Sequence, residues 1–211
     1  EDKGVASSGH LLLEEDIFMH PVFNGNIMQI YAKMQYPGID LLTSQPKRAI
    51  DLATTVAKFA SSSAHFHGRD RVMSEVSDAF DTTKGDIYGR VGAVAVQYAM
   101  GVNQITSFYP PTDMSKEENR IFTDTIGRMG YMLDGGIQDS NVLLYYPIEG
   151  IWVDTLPPEN LGSFDHRAVA TSNEYTKINR ELTGRQIDYS IIDSIDLQSC
   201  EVRDSRIYTP G

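Results

Sequence analysis

The feature that most narrows what this chain can fold into is an alternation. Short apolar runs of strand length recur between segments whose apolar residues fall at helical spacing. Residues 10–15 (HLLLEE) read as a short buried strand. Phe23, Ile27, Ile30, Tyr31 and Met34 then predict an amphipathic helix over 23–35, which Pro37-Gly38 ends. A strand over 39–42 carries Asp40, and Ile50, Ala53, Val56, Ala57 and Ala60 form the buried stripe of a helix over 49–62. The next strand, 71–74, runs straight into Glu75. A small-residue helix over 86–100 and a strand over 102–108 follow, ending at Tyr109-Pro110-Pro111. Strands that alternate with helices of this length build parallel βα units. In such units ligands collect where the strands end, at their carboxyl edge. Glu15, Asp40, Glu75 and Tyr109 all fall at that kind of edge.

The pattern changes after residue 110. A longer, charged helix is expected over 114–133, and Asp134-Gly135-Gly136 stops it. NVLLYY, residues 141–146, opens a new strand, with 147–158 expected as a long loop. A helix over 164–182, capped at Gly184, leads to a further strand over 187–192. The expected division is therefore a partial (β/α)8 barrel over 1–134 and the start of an open α/β domain over 135–211. Only three or four barrel-type units precede that boundary, whereas a closed barrel takes eight in about 250 residues. Residues 1–134 are thus expected to be the second half of a barrel, with the first half elsewhere in a parent chain.

Composition removes several classes of function. The formal net charge of −11 argues against a nucleic-acid binder, which needs a basic face. One cysteine, Cys200, excludes an internal disulfide and a cysteine-rich zinc site. No apolar run reaches the roughly 20 residues that span a bilayer. The segment Glu1-Asp2-Lys3-Gly4 has no signal-peptide character. Phosphate-loop spacing and a GxSxG elbow are both missing, so neither a nucleotide-phosphate site nor a serine hydrolase is expected.

Chemistry therefore rests on acids, histidines and aromatics. Glu75 is either the first solvated residue after its strand or a carboxylate held at the strand's mouth for catalysis, since burying an ionised acid is costly. Glu14, Glu15 and Asp16 either start a helix or contribute one catalytic acid, for which Glu15 is preferred. His20 and His65 are structural groups or donors to a substrate hydroxyl. His65 and His67 lie two residues apart and make a poor metal pair on a helix. Tyr109, beside Phe108, can stack on an apolar sugar face. Two rim carboxylates with histidines and aromatics between them suit glycoside hydrolysis, in which one acid protonates the leaving oxygen and the other activates water or attacks. That chemistry needs no cofactor.

The runs SGHLLLEEDIFMHPVFNGNIMQIYAKMQYPGIDLL, SSSAHFHGRDRVMSEVSDAF and GVNQITSFYP resemble the catalytic barrel of glycoside hydrolase family 106, the α-L-rhamnosidase-like enzymes. The similarity covers about residues 8–150, and NVLLYYPIEGIW resembles the flavodoxin-like domain that follows that barrel. The resemblance implies a glycosidase acting on a deoxy-sugar such as rhamnose in polysaccharide or glycoconjugate, with inversion of configuration. It implies Glu75 as the water-activating base at the end of the seventh strand and Glu15 in the pocket; His20, Asp40, His65 and Tyr109 are the expected substrate contacts from the residue reading. A calcium ion near the sugar and an extracellular or periplasmic location also follow from the resemblance. The alternative is a non-catalytic carbohydrate-binding or scaffolding domain whose acids are structural.

Overall fold

The computed structural model describes residues 4–110, 112–136, 138–155 and 166–210. The chain begins with β1 (Ser8–Gly9), then the short helices α1 (His20–Phe23) and α2 (Ile27–Tyr31). The expected helix over 23–35 is thus cut at its start. Gly25 turns with φ +73°, and Asn26 caps α2 by accepting from the Met28 amide. Next come β2 (Tyr36–Leu41), α3 (Pro46–Ala53), α4 (Val56–Phe66) and β3 (Met73–Val76). Pro37 and Gly38 lie inside β2 and do not stop an element. A Cβ on Gly38 would lie 2.5 Å from the Gly9 carbonyl oxygen, so the glycine is what lets β1 approach.

The chain continues with α5 (Ile87–Ala99), β4 (Gln104–Ser107) and α6 (Lys116–Leu133). Asp86 caps α5 by accepting from Gly89, and Ser115 with Glu118 forms a reciprocal capping box on α6. The last elements are β5 (Leu143–Tyr145), α7 (Ile148–Asp154), α8 (His166–Gly184), β6 (Ser190–Ile192), α9 (Ser194–Leu197), and the hairpin of β7 (Glu201–Arg203) and β8 (Arg206–Tyr208). α7 occupies residues expected to be loop; the end of that expected loop and residues 164 and 165 lie outside the described residues.

Four strands form one all-parallel sheet in the order β1-β2-β3-β4, which is an α/β arrangement. β5 and β6 form a second parallel pair, and β7 and β8 an antiparallel one. Side chains alternate across β2 and β3 as the pleat demands. Ile39, Leu41, Ser74 and Val76 are buried beneath the helices, while Asp40 and Glu75 are only half-buried on the opposite face.

α4 sits at the centre, packed against both β2 and β6. Its sequence VAKFASSSAHF is buried around most of its circumference, and its small side chains let two sheets approach it. Its serines satisfy backbone groups that would otherwise be stranded. Ser61 donates to Met100, Ser63 donates to Met28, and Ser62 accepts from the Ile191 amide. One hydrophobic cluster runs through this helix from Ile39 and Leu41 to Tyr146, Ile151, Tyr175 and Ile191, so it crosses the boundary expected at 134–135. A second, smaller cluster joins Val76, Val94, Tyr109 and Phe122. Among the described residues no helix is long and apolar enough to cross a membrane.

Candidate active site at the carboxyl edge of the sheet

Asp40 and Glu75 are register partners on β2 and β3, and Thr106 on β4 extends the row. Partners in a sheet share a face, and adjacent strands lie about 4.8 Å apart. The two carboxylates are therefore neighbours on the face away from the helices. Between them stands His10, which β1 delivers on its next residue. Its Nδ1 lies 3.7 Å from Asp40 Oδ2 and its Nε2 4.0 Å from Glu75 Oε2. Both distances exceed a hydrogen bond, so the imidazole itself leaves both carboxylates able to accept from a ligand. The side chains are 39% exposed for His10 and 25% for each acid.

Residues 10–15 are not a strand. They form the loop that closes over this edge, with Leu12 exposed and Leu13 in the left-handed region at φ +57°. Glu14 is its anchor. Its Oε1 accepts from the Leu11 amide at 2.5 Å and from the Tyr31 hydroxyl at 2.8 Å, while Oε2 has no partner. The carboxyl is 1% exposed. Burial pushes its pKa up to about 8; the hydrogen bonds from Leu11 and Tyr31 oppose this, and Asp40 and Glu15 add to it. Glu15 is also raised, by burial first and by Asp40 and Asp16, with its own backbone amide and Arg48 opposing. Asp40 is raised by burial against the pull of His10. The edge thus gathers acids that hold their protons more tightly than in water.

The surrounding rim is braced by ion pairs. Asp81 accepts from Thr43 Oγ1, from both the amide and hydroxyl of Ser44, and from Arg48. Asp78, buried at the end of β3, accepts from Arg90, and Lys84 links it to Asp113. These contacts tie the loops after β2 and β3 together, which fixes the strand ends that carry Asp40 and Glu75.

The structure brings Glu75, Asp40 and Glu15 to one edge. It places the other expected contacts elsewhere. His20 is fully buried, with Nδ1 2.7 Å from the Tyr146 hydroxyl and Nε2 3.0 Å from the Glu14 carbonyl, so neither nitrogen is left for a sugar. Burial lowers its pKa to about 4, which keeps the ring neutral. His65 lies at the opposite, amino edge, where it lines a cavity of about 240 Å³ with Asp70, Val72 and Asn103. Tyr109 is buried against Phe122 and under the Arg90 guanidinium, and it is the neighbouring Phe108 that is exposed. His10 and Glu14 are the residues that sequence reasoning passed over. A histidine one residue beyond a strand was the available signal for His10; nothing local marks Glu14 over Glu15.

Among the described residues no group of three or more His, Cys, Asp or Glu side chains is arranged to hold a metal ion. No step below passes through the calcium implied by the resemblance. Comparison of the chain with protein-family models, with curated proteins and with solved structures gives no significant match.

Proposed function

We propose that the chain is part of a glycoside hydrolase of the α-L-rhamnosidase type, with its catalytic acids at the carboxyl edge of the four-stranded sheet. The observation that carries this is the register pair Asp40–Glu75, partly exposed, with His10 between the two carboxylates. Hydrolysis of a glycosidic bond needs one carboxylate to activate water and one carboxylic acid to protonate the leaving oxygen. Glu75 is the base. Glu15, whose proton is held by burial and by the charge of Asp40, is the acid. Asp40 and His10, beside Glu75, hydrogen-bond the hydroxyls of the sugar. Inversion requires room between acid and base for the attacking water.

The unbroken order β1-β2-β3-β4 is what consecutive units of a (β/α)8 barrel produce. We place these strands in the second half of such a barrel, with the Asp40–Glu75–Thr106 face towards its lumen. The β5–β6 pair then begins the flavodoxin-like domain.

The test is release of the aryl group from a panel of aryl glycosides, α-L-rhamnoside first, by the parent protein. Glu75→Gln should lower kcat about 10³-fold with an unchanged fold. A near-normal rate removes Glu75 from the mechanism. Sugar binding without turnover in the wild type favours the carbohydrate-binding alternative.

A further inference from the structure

Three groups of the edge hang from one loop. Ser8–Gly9 pairs with β2, and the chain then turns through His10 to Asp16 over the strand ends. No strand pairing holds this turn, and its apolar residues Leu12 and Leu13 face solvent. Its side-chain anchor is the Glu14 carboxyl, which takes the Leu11 amide from within the loop and the Tyr31 hydroxyl from α2. Tyr31 is fully buried in the main core, so this oxygen ties the loop to the core, alongside the Glu14 and Leu12 carbonyls, which meet His20 and Asn24. The residues next to the two ends of this link are His10 and Glu15.

We propose that Glu14 is the positioning residue of the site: its Oε1 holds the loop so that His10 and Glu15 meet Asp40 and Glu75. The role rests on the glycosidase proposal for its consequence in catalysis, but not for its geometry. An ionised Glu14 would leave Oε2 charged, buried and without a donor, and would set a third negative charge behind Asp40. The groups around it agree with the neutral form. On its own loop are His10, Glu15 and Asp16; β2 supplies Asp40. From α1 comes His20, held neutral, and from α2 Tyr31, whose hydroxyl is pushed far above its ordinary range and stays a donor. Arg48 of α3 acts on Glu15. Raising the pH through about 8 therefore ionises Glu14 and pushes charge towards the catalytic pair. The site should lose activity on the alkaline side through a residue that never touches the substrate.

Two variants of the full-length protein separate the roles. Glu14→Gln keeps an acceptor for Leu11 and Tyr31 and cannot ionise. It should retain kcat within about threefold near pH 6 and lose the alkaline inflection near 8. Glu14→Ala removes the link and should lower kcat about 10- to 100-fold with little change in KM. It should also speed hydrogen exchange at the Leu11 amide. Tyr31→Phe, which removes one donor and spares the loop's own hydrogen bond, should fall between them. The proposal is overturned if Glu14→Ala keeps both the wild-type rate and the wild-type Leu11 protection, or if Gln is as damaging as Ala. Carboxyl ¹³C resonances of the wild-type protein supply the arm that needs no substrate. A Glu14 signal titrating near 8, felt at Asp40, supports the role, and one titrating in the ordinary glutamate range sinks it. If no glycoside is cleaved at all, the glycosidase proposal fails, and exchange and titration still decide what Glu14 does.

Discussion

Acids at the carboxyl ends of strands in two regions of this molecule are treated in opposite ways. At the end of β6, Asp193 is fully buried and both carboxylate oxygens are engaged. It accepts from Asn26 at 2.5 Å, from Gln29 at 3.0 Å and from the Asp196 amide at 2.8 Å as the cap of α9. At the ends of β2 and β3, Asp40 and Glu75 have one imidazole between them, beyond hydrogen-bond reach of both. The first arrangement is a joint between α2 and α9. The second leaves acceptors unused at the surface, which is what a site needs and a joint does not. Position at a carboxyl edge is therefore weak evidence of chemistry, and unmet hydrogen-bonding capacity beside a perturbed neighbour is stronger.

The largest expected effect follows from that contrast. Glu75→Gln should cost about 10³-fold in kcat while changing stability by less than about 0.5 kcal/mol, because the side chain is partly exposed and not hydrogen-bonded. Turnover of an aryl glycoside and thermal unfolding of the same sample check both halves.

Glu14→Gln should act in the reverse sense, on stability more than on rate. In the folded protein this carboxyl binds its proton up to about 8, against an ordinary value of 4.5. The folded state thus holds the proton more tightly, and the wild type loses stability as pH rises from about 4.5 to 8. At pH 7 the Gln variant should be more stable by up to about 3 kcal/mol, and at pH 4 the two should coincide. Urea unfolding across that range measures the difference.

Asp193→Ala should destabilise by about 2 kcal/mol, since it strands the amides of Asn26 and Gln29 and uncaps α9. The loss is read as a shift of the urea midpoint, with kcat per folded molecule unchanged. An equal loss of kcat would erase the distinction between joint and site. The smallest effect is expected at His65→Ala: at the amino edge, it should alter kcat by less than twofold and stability by about 1 kcal/mol or less.

Much of the framework was legible because local chemistry agrees with the final structure. Asp86 before a small-residue run marks α5, and Ser115 with Glu118 marks α6. The apolar content around Asp40 and Glu75 marks β2 and β3. Where the reading differed, a local pattern had two outcomes. HLLLEE has the apolar run of a buried strand, yet with β2 already paired to Ser8–Gly9 it has no neighbour to pair with; Leu11 packs on the core while Leu12 and Leu13 stay in water. Pro147 looked like a breaker, yet it stands as the N-cap position of α7, where its missing N–H costs nothing. The β7–β8 hairpin turns through Asp204 and Ser205 at φ +49° and +59°, the primed geometry usually marked by Asn-Gly, so the familiar signal was absent.

By itself the sequence located the ends of the strands that carry Asp40 and Glu75, because apolar runs and their charged boundaries are local properties of the chain. Only the tertiary structure decided which of those ends are neighbours. Asp40 faces Glu75 because β2 and β3 pair with that register, and a slip of one residue would turn one of the two acids under the helices. It also decided that Glu14, and not the adjacent Glu15, lies inside: the hydroxyl of Tyr31 and the amide of Leu11 converge on one carboxyl oxygen, and no sequence spacing encodes that convergence.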